Sequence, residues 1–425
     1  MLNFWKKKTD KNFWARMPRP IFALAPMEEV TDVAFREMFA RYSRNRNIGS
    51  RTEASTSPAL PPSPRLRRAR RASSPSLGEV NNVANASFVM YTEFVNVDGL
   101  THPEGRKKLA IDLKFTQQQK PMVAQIWGTN PEKFYQSAQI CAELGFDGID
   151  INMGCPQDKE ISIGACAALI REPKLAKEII EAVKKGGGGL PVSVKTRIGY
   201  SKKEELEEWI KHLLSTEPAV IALHGRTKQE KSKVPANWEA IAQAVRIRDE
   251  MYPISPHPSP SPEPHPAFGH LPPEGEGKIE LAMGRGKLVG LRPLIIGNGD
   301  IKSYQEGLDR VTQTKVDGVM VGRGAFGNPW FFRLGGEVNS PDFNQSYQPV
   351  LKERLAVMLE HAKLFTEWLP EKSFMIMRKH FKAYASGFPG SHELRAKLME
   401  AKNLAETEKI TKEFLQNQSY PHNHK

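Results

Sequence analysis

The chain has 425 residues, 39% hydrophobic and 26% charged, with a formal net charge of +13, a size for two or three folded units or one barrel-sized unit with an appendage. No apolar run is long enough to span a bilayer, and the basic start Met1 to Lys8 lacks the apolar core and cleavage site of a secretory signal. Cys141, Cys155 and Cys166 are too few and too far apart for a disulfide framework or a C-x-x-C zinc site, so the expectation is a cytoplasmic monomer with no metal and no membrane partner.

Along the chain, short β-branched or apolar runs recur, each ending in small or polar residues. They are Ile21 to Ala25, Val89 to Phe94, Met122 to Ile126, Gly148 to Asn152, Val192 to Thr196, Val220 to His224, Leu294 to Gly297 and Gly318 to Gly322. Helical patterns fall between them at Asp32 to Tyr42, Pro131 to Leu144, Pro173 to Lys184, Lys203 to Ser215, Trp238 to Asp249 and Ser303 to Thr314. Eight strands alternating with helices predict an α/β fold, a (β/α)8 TIM barrel of parallel strands over residues 1–340.

Two stretches break the rhythm, at about 44–86 and 253–290. The first is rich in Ser, Pro and Arg, and the second opens on a Pro/His/Ser tract. Neither can bury enough apolar surface to offset the entropy of ordering, so both are expected to be low-complexity, disordered insertions. Each falls between a helix and the next strand, which puts it on the bottom face, away from the catalytic loops. From Arg44 to Gly78 there are eight Arg against one acid, Glu53, so much of the net charge sits in the first insertion.

Beyond Pro341 the strand signal ends. Helical periodicity takes over at Leu351 to Trp368, Ser373 to Ala385, His392 to Asn403 and Glu406 to Gln416, predicting an all-helical C-terminal domain over 341–425. Val350 to Lys425 carries 13 basic against 9 acidic residues. Near Arg378, Lys379, His380, Lys382 and Tyr384, basic and aromatic groups interleave, a pattern suited to phosphates and stacked bases and equally to an ordinary solvated helix face.

The chemistry gathers at the strand ends. Asn152-Met153-Gly154-Cys155-Pro156 sets one thiol on a Gly/Pro-flanked turn after a buried strand. Strand seven ends in Gly297-Asn298-Gly299-Asp300 and strand eight in Gly322-Arg323-Gly324, the two loops where phosphate-binding barrels present backbone N–H groups. Pro26, Met27, Gln125, Asn152, Lys195, Arg197 and His224 end the other strands. A phosphate at strands seven and eight under a wide polar ring suits FMN. Lys195 would then stabilise charge on the reduced ring, with Gln125 and His224 at its edge. Cys141 and Cys166 are most simply packing residues.

Ala25-Pro26-Met27, Tyr91-Thr92-Glu93-Phe94, Ala124-Gln125-Ile126-Trp127-Gly128 and the Asn152-to-Pro156 turn continue with Lys195-Thr196-Arg197-Ile198-Gly199, His224-Gly225-Arg226-Thr227 and the two glycine turns. On these residues, from about Arg19 to Asn403, the chain resembles the tRNA-dihydrouridine synthases. The resemblance implies FMN-dependent, NADPH-consuming reduction of a uridine in tRNA to 5,6-dihydrouridine. Hydride goes to C6 of the uracil and a proton to C5, and Cys155 is the general acid. A thiol of ordinary pKa, roughly 8.5, is mostly protonated at neutral pH, so a site that strongly lowered it would work against this role.

The resemblance also implies a flavin held by Pro26, Met27, Glu28, Gln125, Lys195, His224, Asn298, Gly299, Asp300, Gly322 and Arg323. The implied tRNA contacts are Asn152, Lys159, Arg197, Arg226, Arg378 and Lys379. Ile163 and Cys166 depart from the family's small residues near Gly164, which bears on tRNA contacts in that loop. Two rivals differ from this reading. An FMN barrel acting on a free pyrimidine, like the dihydroorotate dehydrogenases, would not require the C-terminal helices, and a non-catalytic RNA-binding barrel would not require Cys155, Lys195 and both phosphate turns.

Overall fold

The computed structural model describes residues 12–44, 88–253, 292–333 and 347–418. Apart from their edge residues, the two expected insertions lie outside the described residues, as does the expected domain boundary at 340/341.

Eight parallel strands close into a barrel in chain order: β1 (Ile21–Leu24), β2 (Phe88–Asn96), β3 (Met122–Trp127), β4 (Gly148–Met153), β5 (Val192–Arg197), β6 (Val220–His224), β7 (Leu294–Asn298) and β8 (Gly318–Val321). The ring shuts where Ile21 pairs with Gly318 and Leu24 with Val321. Each strand is buried on both faces, which is why the runs read as continuous apolar segments.

Around the barrel lie α1 (Val33–Tyr42), α2 (Val97–Thr101), α3 (Pro103–Leu109), α4 (Pro131–Glu143), α5 (Asp158–Ser162), α6 (Pro173–Gly186), α7 (Leu206–Ser215), α8 (Trp238–Met251) and α9 (Tyr304–Thr314). Their starts follow capping chemistry. Asp32, Asn130, Asn237 and Ser303 accept backbone N–H groups of the first turns, and Pro131 and Pro173 occupy positions where a missing N–H costs nothing. The pair α2 and α3 is absent from the helical pattern, because Gly99, His102, Pro103 and Gly105 interrupt it. Asn96 and His102 caps and a glycine contact hold it instead: a Cβ at Gly105 would lie 2.2 Å from the Gly99 carbonyl oxygen.

The C-terminal helices are α10 (Leu351–Trp368), α11 (Met377–Tyr384), α12 (Ser391–Glu400) and α13 (Leu404–Gln418). Their core is shared with the barrel: Val33, Ala34 and Met38 of α1 and Trp330 pack with Leu355, Met358, Phe365, Phe381 and Leu398. This corrects the reading of the α11 face. Met377, His380, Phe381 and Tyr384 recur at helical spacing and turn inward, so His380 and Tyr384 are fully buried and the basic residues on the outer side are Arg378, Lys379 and Lys382. Among the described residues no helix is long and apolar enough to cross a membrane.

Candidate active site

A cavity of about 210 Å³ opens at the C-terminal end of the barrel, walled by β1, β5, β6, β7 and β8. Of the expected cofactor residues, Pro26, Met27, Lys195, His224, Asn298, Gly299, Asp300, Gly322 and Arg323 line it. Gln125 does not; it is buried behind the wall, hydrogen-bonded to Asp150 and Asn152. Glu28 lies outside the lining; the residue is exposed by surface area, but partial desolvation of its carboxyl, then the neighbouring Glu160 and Glu29, pushes its pKa up. Arg197, expected at the substrate, lines the cavity as well.

Glycine is needed where the last two loops meet. Gly299 sits at φ +135, and a Cβ there would lie 2.6 Å from Ala236 Cβ; one at Gly324 would lie 2.1 Å from the Ile301 carbonyl oxygen. The two turns therefore abut, and Asp300 ties their charges. Its carboxylate accepts from Ala236 N at 2.9 Å, pairs with Arg226, and meets Arg323 Nη2 at 2.9 Å. Burial would raise the Asp300 pKa, but these partners together hold it below the usual carboxylate range.

Lys195 projects from a buried strand, and Asn298 Oδ1 accepts from its ammonium at 3.3 Å. Burial, then the charge of Arg197, lowers its pKa to about 8. Arg197 is anchored mainly to backbone: Nε donates to Gly154 O at 2.6 Å and Nη1 to Thr227 O at 3.0 Å, and Nη1 also lies 3.4 Å from His224 Nδ1. Arg226 is buried, with its Nη1 lacking a hydrogen-bond partner among the described residues. His224 is held far below its ordinary pKa by burial and by Lys195, Arg197, Arg226 and Arg323, so it is neutral at pH 7. Lys195, Arg197 and Arg323 line the cavity against the single carboxylate of Asp300, to which Arg226 is paired from outside the lining, and this excess of positive charge makes the cavity a place for an anion.

Cys155 stands on the turn after β4, half-buried. Asn152 Oδ1 accepts the N–H groups of Gly154 and Cys155, both at 3.0 Å, and Ala167 N donates to Cys155 O at 3.3 Å. That last bond brings up Cys166, buried and at φ +56, a left-handed conformation uncommon outside glycine. The hydrogen bond between the two thiols lowers the Cys155 pKa against the effect of burial and raises that of Cys166. The more accessible Cys155 ionises first, because the Cys166 S–H remains to stabilise its thiolate. Cys166 is thus more than the packing residue its surroundings suggest, and its left-handed backbone has no sequence signal. Cys141, by contrast, is pushed up to about 12 by burial alone, as a packing thiol should be. Lys159 is exposed on α5, and Lys379 Nζ lies 3.0 Å from Glu29 Oε2 on the loop after β1.

The family model described as "Dihydrouridine synthase (Dus)" matches residues 23–250 and 291–419, more than half of the chain. The chain belongs to the dihydrouridine synthase family. It is 33% identical over 406 residues to a "Probable tRNA-dihydrouridine synthase" of Staphylococcus aureus (strain MRSA252), covering 95% of this chain and 96% of the relative. It is 34% identical to the "Probable tRNA-dihydrouridine synthase 2" of Bacillus subtilis (strain 168), covering 95% and 97%. A solved old yellow enzyme homologue from Zymomonas mobilis, 11% identical with a TM-score of 0.38 over 78% of this chain and 96% of its own, is too distant to carry weight. Membership of the family accounts for the strand-end motifs as a set. It leaves Cys166 and Asp150, the buried carboxylate under Gln125, to be explained from the geometry of this chain.

Proposed function

We propose that this dihydrouridine synthase reduces a uridine of tRNA to 5,6-dihydrouridine with FMN as cofactor and NADPH as reductant. The observation that carries the reading is a half-buried thiol on the β4 turn next to a cavity walled by three cations and a neutral histidine. The residues fit FMN. The glycine turns of β7 and β8 pack against each other at the cavity beside the guanidinium of Arg323, and Arg226 Nη1 is a buried donor still without an acceptor among the described residues. Asn298, Gly299, Asp300, Gly322 and Arg323 would hold the phosphate end, and Pro26, Met27, Lys195 and His224 the ring, with Gln125 and Glu28 at its margins. When bound, FMN supplies the hydride that reduces C6 of the uracil.

The protein's own residues do the rest. Lys195, cationic at pH 7, offsets negative charge in the cavity, and neutral His224 can donate or accept a hydrogen bond without adding a further positive charge to the lining. Cys155 Sγ gives its proton to C5 and is re-protonated from water before the next cycle. Asn152, Lys159, Arg197, Arg226, Arg378 and Lys379 are the proposed contacts to the uracil and to tRNA phosphates. A base delivered to a barrel mouth must leave its stack, at a cost of a few kcal/mol, and backbone contacts offset that cost.

The test is direct. The purified protein should be yellow and, with NADPH, should form dihydrouridine in tRNA from a strain that lacks it. Cys155→Ala should keep the flavin and lose at least roughly a hundredfold in turnover, the usual range for a deleted general acid. A colourless protein, or near-normal dihydrouridine formation by Cys155→Ala, overturns the reading.

A further inference from the structure

Inside the barrel a line of polar side chains runs beneath the Cys155 turn. Gln125 of β3, Asp150 of β4 and Ser193 of β5 are register partners across three strands, and all three are fully buried. Ser193 Oγ donates to Asp150 Oδ1, and Gln125 Nε2 donates to Asp150 Oδ2 at 2.6 Å. Gln125 Oε1 then accepts from Asn152 Nδ2 at 3.1 Å, which leaves Asn152 Oδ1 to accept the Gly154 and Cys155 N–H groups.

Every link in this chain has a direction, and Asp150 sets it. A carboxylate only accepts, so Gln125 must turn its NH₂ toward Asp150 and its oxygen toward Asn152. Asn152 must in turn present its NH₂ to Gln125, and only then does its oxygen face the two backbone donors. Turning either amide over would set like against like in a buried site, at the cost of unpaired polar groups.

We infer that Asp150 is a positioning residue that fixes the Cys155 turn through Gln125 and Asn152. The inference deepens the reading of Cys155 as proton donor and rests on it for its functional meaning. It predicts that the carboxylate can be moved one step along the chain but not deleted or doubled. Asp150→Ala removes the acceptor that orients Gln125. Gln125→Glu sets two carboxylates face to face. Gln125→Glu with Asp150→Asn restores every bond, because the new amide at position 150 donates to the new carboxylate at position 125, whose other oxygen still accepts from Asn152.

The measurement is the pH dependence of iodoacetamide alkylation at Cys155 in flavin-free, tRNA-free protein, followed by mass spectrometry with circular dichroism as a check on folding. Cys141 and Cys166 are buried, so Cys155 is the reactive thiol of the native fold. Asp150→Ala and Gln125→Glu should each release the turn from its contact with Cys166, raise the apparent pKa of Cys155 and slow alkylation at pH 7 by roughly tenfold. The double variant should return to within about threefold of the parent. If the Gln125→Glu chain alone fails to fold, a double variant that folds and alkylates normally still supports the relay. A double variant no better than Gln125→Glu overturns it, as does Asp150→Ala with the parent profile. Because no flavin, NADPH or tRNA takes part, a parent protein that made no dihydrouridine would sink the proposed function and leave this result standing.

Discussion

In the proposed role of Cys155 as proton donor, the thiol works only while it holds a proton, so the neighbour that stabilises its thiolate sets the upper pH limit of the proposed reaction. Cys166 is that neighbour, and its hydrogen bond is the largest influence lowering the Cys155 pKa. Cys166→Ala should therefore raise the Cys155 pKa and carry the alkaline limb of kcat to higher pH. Lys195 loses its charge near pH 8 and falls on the same limb, so thiol alkylation is the cleaner readout, and it should slow at neutral pH in the variant. An unchanged alkylation profile would remove Cys166 from the site. The residues that end strands, such as Lys195, His224 and Asn298, were legible because the strand period alone places them at the mouth. Cys166 and Asp150 were not. The role of the first depends on a left-handed backbone eleven residues beyond Cys155, and that of the second on hydrogen bonds across three strands.

At the scale of elements, the seam between α1, α10 and α11 is built around two imidazoles. His361 and His380 lie with ring centroids 4.7 Å apart, packed against Phe35, Phe326 and Tyr384, and none of their ring nitrogens has a hydrogen-bond partner among the described residues. Burial lowers the pKa of His361 to about 3, and His380 falls well below its usual value for the same cause. A folded pKa below the unfolded one means stability is full above about pH 6.5 and is lost as pH falls, since only the unfolded chain takes up the protons. At pH 5 each imidazole should cost about 2 kcal/mol relative to pH 7. Urea denaturation at both pH values measures this, and His380→Phe should remove about half of the pair's loss. A variant with the parent's full acid sensitivity would show that these rings are not buried neutral. The helices on this seam were readable from their 3.6-residue spacing. Which side of α11 met the barrel was not, because His380 and Tyr384 suit a stacked base as well as a core.

The whole molecule holds its helical bundle over the barrel with an ion cluster as well as a shared core. Register between β2 and β3 shifts from Tyr91 to Phe94, a bulge of the kind that re-aims side chains, and Glu93 lies within it. Lys372, on the segment joining α10 to α11, reaches Glu93 Oε1 at 2.6 Å and Asp112 Oδ1 at 2.8 Å, while Glu93 also accepts the Glu29 N–H from the loop after β1. The catalytic mouth and the bundle are thus pinned at one point. Glu93 is pushed up to about 7 chiefly by burial, with Lys372 opposing, and the two carboxylates outweigh burial to hold the Lys372 ammonium above the usual lysine range. Lys372→Met would leave Glu93 buried without its cation and raise its pKa further. The parent already keeps a proton on Glu93 up to about pH 7, and the variant would keep it to higher pH, so its stability falls below the parent's as pH rises above about 7. Relative to the parent, whose Glu93 already titrates near 7, the pH-dependent loss should be negligible at pH 5.5 and about 1 kcal/mol at pH 8, since only the one pH unit above the parent value can add to it. Urea denaturation at the two pH values measures it against the parent, and in a Glu93→Gln background Lys372→Met should cost the same at both, since the buried glutamate whose charge it controls is gone. A Lys372→Met loss that is equal at both pH values would mean the contact acts by packing alone. If the pin also sets how the bundle presents Arg378 and Lys379 over the mouth, the single variant should weaken tRNA binding at pH 8 more than at pH 5.5, in step with its loss of stability.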